Sequence, residues 1–414
     1  ERAETGAWDA ARRFWEQACR APAALVPRDR QTAENRYGDC RVVELTLTPE
    51  ATHASVIDAH AAFNTGVEDL LLVALAQAVR WVYGHDATWI ALEGHGRDSV
   101  ADLDVGGAVG WFTALFPFRL CAEGDDPGDQ LRRVKEAVRQ SRRHALGYGV
   151  LRWLCSEGSL DPDAAPECRM SVNYMGQLAV DGGPGGSGRF TVSDEYAGNP
   201  ISESLTREHD IDVGAVVRHD RLTLSLTYST GLHDEATVQR LLDQIDIEVR
   251  RLSAWCAARG HVEKTPADFT ACPLPLARYD EILVTHGWAR DAVSDVYPLS
   301  PMQAGLLFET LVDPTSRAYY LQLSYRLRGA LDVDRFRDAL HAVARRHPII
   351  RTAILHEGLD DPLQVVLRDR LPEVTVDDLS GLTEDATAAR IREWQRRDLE
   401  RGFDLARQPL MRVG

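Results

Sequence analysis

Glu93-Gly94-His95-Gly96-Arg97-Asp98 brings a carboxylate, an imidazole and a guanidinium into one short stretch, directly after the apolar run Thr88-Trp89-Ile90-Ala91-Leu92. A short run rich in aromatic and branched residues reads as a buried strand. The carboxylate then stands where that strand ends, in a turn held by two glycines. Glycine admits backbone conformations closed to other residues and lets a ligand come close. A strand-end carboxylate beside a cation is one way to present a proton-transfer group. A polar hairpin turn with an exposed Glu–Arg pair, worth almost nothing energetically, has the same spacing. Taken alone, the spacing favours the turn.

Other side chains capable of chemistry are fewer. His95 titrates near neutrality in ordinary surroundings, but its place between two glycines favours shaping the loop. Asn173 and Tyr174 offer an amide and a phenol, and each also fits a packing or backbone-satisfying role. His209, His233 and Tyr148 have no identifiable partner and read as solvated or packing residues. Trp111 and Phe112 are expected in the core. The seven cysteines form no Cys-x-x-Cys pair, so neither a disulfide framework nor a zinc site is expected. Reduced thiols in a cytoplasmic protein are the expectation.

The elements that must position these residues alternate between helix and strand. Val67 to Val82 carries Leu70, Leu71, Leu75, Ala78, Val79 and Val82 at helical spacing, with Gly84 as its stop. Asp126 to Arg143 reads as a charged amphipathic helix, Arg221 to Tyr228 as a strictly alternating strand, and Asp234 to Cys256 as a further helix. Gly182 to Gly188 lacks the strand-then-helix context of a phosphate loop and reads as a flexible connection. This mixture predicts a layered α/β sandwich. Pro266, Pro273 and Pro275 break the periodicity over 259–294, which reads as a linker or docking strap. A new unit then begins, with a helix over Met302–Leu311, a strand over Tyr319–Leu327 and a helix over Val333–Arg346 presenting Phe336, Leu340 and Val343. A strand over Arg351–Leu355 follows.

A chain of 414 residues suffices for two or three domains. Its net charge of −16 argues against a nucleic-acid or anionic-membrane partner. No apolar run reaches the ~18 residues a membrane span needs, and no signal peptide is visible. The final Leu410-Met411-Arg412-Val413-Gly414 reads as an apolar strand, so a piece of a longer protein is expected.

The motifs, taken together, carry a resemblance. Leu92-Glu93-Gly94-His95-Gly96-Arg97-Asp98 is similar to EGHGRE, and Val109 to Pro117 (VGWFTALFP) to VGWFTxxYP. Gly147-Tyr148-Gly149 matches the end of PxxGxGYG, and Val172-Asn173-Tyr174-Met175-Gly176 matches FNYLG. In this order and spacing, residues 1–258 resemble the C-terminal lobe of an epimerization domain of a nonribosomal peptide synthetase. After the linker at 259–294, residues 295–414 resemble the start of a condensation domain. Tyr297-Pro298-Leu299-Ser300-Pro301-Met302-Gln303 resembles its opening motif, and Arg346-His347-Pro348-Ile349-Ile350-Arg351-Thr352 resembles RHxxLRT. Thr265-Pro266-Ala267-Asp268-Phe269 is similar to the TPSDF segment between such domains.

The resemblance implies two-layer lobes of the chloramphenicol acetyltransferase-like superfamily. It also implies L-to-D epimerization of an aminoacyl or peptidyl thioester, followed by a condensation domain that takes a D-configured donor and forms the next peptide bond. No cofactor is bound directly; the substrate rides on the phosphopantetheine arm of a separate carrier domain. The implied partners are upstream and downstream peptidyl carrier proteins and adjoining synthetase domains, with no nucleic acid and no membrane. By the same comparison Glu93 and Tyr174 are catalytic, with Arg97, Asn173 and His95 binding or stabilising the substrate. Arg351 either arranges the surroundings of the histidine motif or is a strand-end surface cation.

Departures from the pattern accompany it. No His-His pair stands anywhere for the shared HHxxxDG motif, which implies a missing N-terminal lobe in the first domain and a second domain truncated before the motif. Gly107 and Ala108 stand where the family has Arg-Thr, and Arg142 and Ala145 replace Pro and Gly. The fragment alone is therefore expected to be inactive. A non-catalytic scaffold that docks carrier proteins is the alternative.

Overall fold

Leu70, Leu72 and Leu75 are buried in the core of the first of two units, Glu1–Val262, where their helix packs against the helix Glu235–Ala257. The computed structural model describes residues 8–31, 34–97, 105–155, 160–161, 165–178, 195, 198, 201–260, 262–272, 274–313 and 319–414. The first unit runs α1 (Asp9–Ala18), β1 (Cys40–Thr46), α2 (Val67–Tyr83), β2 (Ala87–Gly94), β3 (Ala114–Cys121), α3 (Pro127–Trp153), β4 (Met170–Gln177), β5 (Ile211–Arg218), β6 (Arg221–Ser229) and α4 (Glu235–Ala257). Helix α2 starts where Asp69 accepts a hydrogen bond from the Gly66 amide at 2.8 Å. It stops at Gly84, whose φ of 72° suits glycine.

The six strands form one sheet in the order β1-β6-β5-β4-β2-β3. β2, β4 and β5 are parallel neighbours, and the other pairings are antiparallel. Side chains alternate across a strand, which decides what each face carries. Ile90, Leu92, Phe116, Phe118, Met170, Val172, Ile211 and Val213 point to one face and share a single core with the helices. Each such side chain contributes roughly 1.5–3 kcal/mol by leaving water. The same alternation sends Glu93, Asn173, Asp212, Thr223 and Ser225 to the opposite face.

Several expectations change here. Glu93 belongs to β2, paired with Leu115 of β3, instead of a turn. Helix α3 runs on past Arg143 to Trp153, and at Gly147 it meets α1 closely: a Cβ there would press on Ala11 and Trp8. Trp111, expected in the core, is 92% exposed. The Gly182–Gly188 segment lies outside the described residues.

The second unit, Glu263–Gly414, comprises α5 (Leu276–His286), β7 (Val293–Pro298), α6 (Pro301–Val312), α7 (Val333–Arg346), β8 (Thr352–Leu355), β9 (Leu363–Leu367), β10 (Glu373–Val374), α8 (Glu384–Arg401) and β11 (Arg412–Val413). β9 lies between β7 and β8, antiparallel to both, and β10 pairs with β11 in parallel. The 259–294 segment is more than a linker. It contains α5, started at Pro275, and Tyr279, Ile282 and Leu283 recur at helical spacing to enter this unit's core with Val296 and Val365.

Residues 319–327 are not a strand. Tyr320 and Gln322 donate hydrogen bonds to the Asp398 carboxylate at 2.6 and 3.1 Å, while Leu321 and Tyr325 face water. The alternation is present, yet no neighbouring strand pairs with it among the described residues. The apolar stripe of α7 is likewise open, with Phe336 and Val343 exposed. Arg351 is not a surface cation. It is buried and donates to the carbonyls of Ala344, Arg345, Leu367 and Arg368, tying the end of α7 to the end of β9.

Candidate functional site

The parallel register of β2 and β4 sets Leu92 against Val172, so the next residues, Glu93 and Asn173, stand side by side on the sheet face opposite the core. Asn173 Nδ2 donates a hydrogen bond of 2.7 Å to Glu93 Oε2, fixing the orientation of the carboxylate. Glu93 is half-buried. Burial is the largest influence on its carboxyl and raises it above the ordinary range; the carboxylate of Asp212 pushes the same way, and His209 pulls weakly against them. A carboxyl moved toward neutrality and held at a strand end is suited to accepting and returning a proton.

Arg97 does different work from that expected of a stabilising cation beside Glu93. One guanidinium nitrogen donates to the carbonyls of Val105 and Ala108 at 2.7 and 2.8 Å, and the group lies 4.4 Å from the centroid of the Phe112 ring. It shapes the loop that follows β2. His95 is exposed, and its Nδ1 accepts a hydrogen bond from the Arg97 amide at 3.1 Å, again within the loop. Gly96 adopts φ 60°, and a Cβ there would overlap the Phe112 carbonyl oxygen, so glycine is required at this position. Asp98 lies outside the described residues.

Tyr174 follows Asn173 in the same strand and therefore points to the opposite face, where its ring packs against the helix-side core. Burial raises its phenol above the ordinary range. Of the five residues singled out from the sequence, the structure brings Glu93 and Asn173 together. It commits Arg97 and His95 to the adjoining loop and sends Tyr174 through the sheet.

Sequence reasoning missed the polar ladder beside Glu93. Asp212 accepts from Ser171 Oγ and from Arg207 Nη2, both at 2.5 Å. Arg207, itself buried, also donates to the carbonyls of Asp210 and Thr227. A signal existed: Asp212 is a lone acid inside a run that otherwise reads as a strand, Ile211-Asp212-Val213-Gly214-Ala215-Val216-Val217. His209 donates from Nδ1 to the Cys168 carbonyl at 2.8 Å, so it has a partner that the sequence did not reveal. Among the described residues no group of three or more His, Cys, Asp or Glu side chains could hold a metal ion, and no helix is long and apolar enough to cross a membrane.

Comparison with known proteins adds to this geometry. The family model described as Condensation domain matches residues 1–271 and 293–414. A mycosubtilin synthase component of Bacillus subtilis is 32% identical over 414 residues, covering 99% of this chain and 16% of that protein. A linear gramicidin synthase component of Brevibacillus parabrevis is 34% identical over 406 residues, covering 96% of this chain and 5% of that protein. The chain thus spans only a small part of the length of these relatives. Among solved structures, the epimerization domain from the third module of tyrocidine synthetase B is similar with a TM-score of 0.57 and 28% identity, over 62% of this chain and 57% of that one.

Proposed function

The chain belongs to the condensation-domain family, with its chloramphenicol acetyltransferase-like fold, and from that premise we propose that residues 1–258 act in epimerization within a nonribosomal peptide synthetase. The substrate is an aminoacyl or peptidyl thioester on the phosphopantetheine arm of a carrier domain. Residues 295–414 then form the start of the condensation domain that extends the D-configured product. The observation carrying this reading is the Glu93–Asn173 pair: a half-buried carboxylate raised toward neutrality, fixed by a 2.7 Å hydrogen bond, within a motif matching that of epimerization domains. The similarity to the tyrocidine synthetase epimerization domain supports it.

Inversion at an α-carbon needs a proton removed from one face and another delivered to the opposite face. The thioester carbonyl acidifies the α-hydrogen. The Glu93 carboxylate takes or gives the proton on one side, and the charge that develops on the carbonyl oxygen calls for stabilisation. Asn173 keeps the carboxylate aimed. The group acting from the other face is, by the resemblance, a histidine of the HHxxxDG motif, which this sequence does not contain.

The test is deuterium wash-in at the α-carbon of a carrier-bound aminoacyl thioester, in D₂O, with the parent synthetase module carrying Glu93 or Glu93→Gln. Loss of a positioned general acid–base costs about 10²- to 10⁴-fold. Unchanged wash-in by Glu93→Gln overturns the assignment. Carrier binding without wash-in by the unaltered module favours the scaffold reading instead.

A further inference from the structure

Around the sheet edge from Glu93, on the helix-covered side, the ends of β2 and β3 and helix α3 border an open cleft of about 370 Å³. Gly94, Gly96 and Phe116 contribute to its sheet wall, and Arg139, Arg142 and Arg143 to its helix wall. Residues three and four apart share a helix face, so three guanidinium groups gather here in a chain of net charge −16. Like charges on one face repel, and internal acceptors answer them only in part. Glu68 accepts from Arg142 Nη2 at 2.5 Å, and the Asn64 carbonyl accepts from Arg139 Nη2 at 3.2 Å. Asp69 forms an ion pair with Arg139 Nη1 at 3.6 Å, a separation longer than a hydrogen bond. Arg142 Nε and Arg139 Nη1 are both buried with no hydrogen-bond partner among the described residues. Arg143 is exposed and makes no ion pair among the described residues. Buried charged donors without acceptors are rare and call for an explanation, and an anion in the cleft supplies one.

We propose that this cleft is a phosphate-ester subsite, in which Arg139, Arg142 and Arg143 hold a phosphate group beside the strand end that carries Glu93. A phosphate has several oxygens in a tetrahedral array and can accept from three guanidinium forks at once, which a planar carboxylate does less well. Two sources share this chemistry: the phosphodiester of a carrier arm and a free phosphorylated small molecule. Only the first rests on the function proposed above.

The test is binding by isothermal titration calorimetry on the full chain, with 4′-phosphopantetheine, pantetheine and inorganic phosphate as probes. Phosphopantetheine binds more tightly than pantetheine if the subsite exists. Arg142→Gln or the exposed Arg143→Gln weakens phosphopantetheine about tenfold, the loss of one charge-assisted contact. Arg143→Gln is chosen because an exposed side chain can be changed without unfolding the chain. Glu68→Gln, which removes the internal competitor for Arg142, tightens binding. Inorganic phosphate binding as well as phosphopantetheine supports the subsite with a free phosphate as occupant. Equal binding of phosphopantetheine and pantetheine with no phosphate binding overturns it, as does an affinity unchanged in both arginine variants. Because the readout is affinity, these outcomes are independent of whether Glu93 transfers a proton.

Discussion

Replacing Gly96 by alanine tests the loop that follows Glu93, and the structure gives the size of the effect. At φ 60° an L-residue costs roughly 1–2 kcal/mol relative to glycine. The added Cβ would also overlap the Phe112 carbonyl oxygen, and backbone cannot rotate aside as a flexible side chain can. Phe112 must therefore shift. That shift loosens its stacking on Arg97 and strains the two hydrogen bonds from Arg97 to Val105 and Ala108. Hydrogen bonds from a charged group are worth about 1.5–3 kcal/mol each, so partial loss adds a comparable amount, and the total is roughly 3–5 kcal/mol. For a unit of this size that lowers the unfolding temperature by on the order of 10 °C. The assay is thermal unfolding followed by circular dichroism, with Gly94→Ala as control. A Cβ on Gly94 would lie 3.7 Å from the Phe116 ring, an ordinary contact, so that variant should change stability by less than about 1 kcal/mol. If both alanine variants unfold together with the unaltered chain, the stated role of Gly96 is wrong.

Further outcomes follow from individual contacts. Burial pushes the Glu68 carboxyl up to about 7 against the pull of Arg142, which water screens because its side chain is 35% exposed. An acid raised in the folded state keeps its proton there. Its cost is therefore absent below its ordinary value of 4.5 and complete above about 7, reaching at most about 3 kcal/mol. Urea unfolding from pH 4 to 8.5 should lose stability across that window, and Glu68→Gln should flatten the slope; an identical slope in the variant refutes this. Asn173→Ala removes a hydrogen bond that favours the ionised carboxylate, so the Glu93 titration followed by ¹³C NMR should move up. A midpoint that stays or falls contradicts the pairing. Arg351→Met leaves buried carbonyls at the ends of α7 and β9 without a donor and should cost about 3 kcal/mol or more. Arg351→Lys should not restore it, since a single ammonium cannot reproduce the planar fork. An unchanged urea midpoint in either variant would show that these contacts carry no stability.

The helix over Val67–Tyr83, the strand over Arg221–Ser229 and the helix over Val333–Arg346 were readable from the sequence because they depend on spacing within one segment and on residues at its ends. The strand before Glu93 was readable for the same reason, although its end was placed two residues early: pairing with Leu115 and Ala114 carries β2 through Glu93 and Gly94. Local pattern failed where a partner was required. The alternation of Tyr319–Leu327 is real, but no strand pairs with it among the described residues. Helix α5 lay hidden among the prolines of 259–294 because its three core residues matter only once β7 and β9 are assembled beside them.

The site divides in the same way. From its sequence alone the chain specified a strand-end carboxylate flanked by glycines and a family resemblance; that Gly96 in particular cannot be replaced rests on its φ of 60° and the Phe112 carbonyl beside it. Only the tertiary structure decided that Asn173 meets Glu93 while Tyr174 does not. That outcome follows from which strand becomes the neighbour of β2 and in which register, a contact between segments 80 residues apart in sequence. Given that register, the period-two geometry of a strand sends adjacent residues to opposite faces. The commitments of Arg97 and Arg351 were invisible for a related reason. A guanidinium takes whichever carbonyls the fold brings within reach, and the sequence does not say which those are.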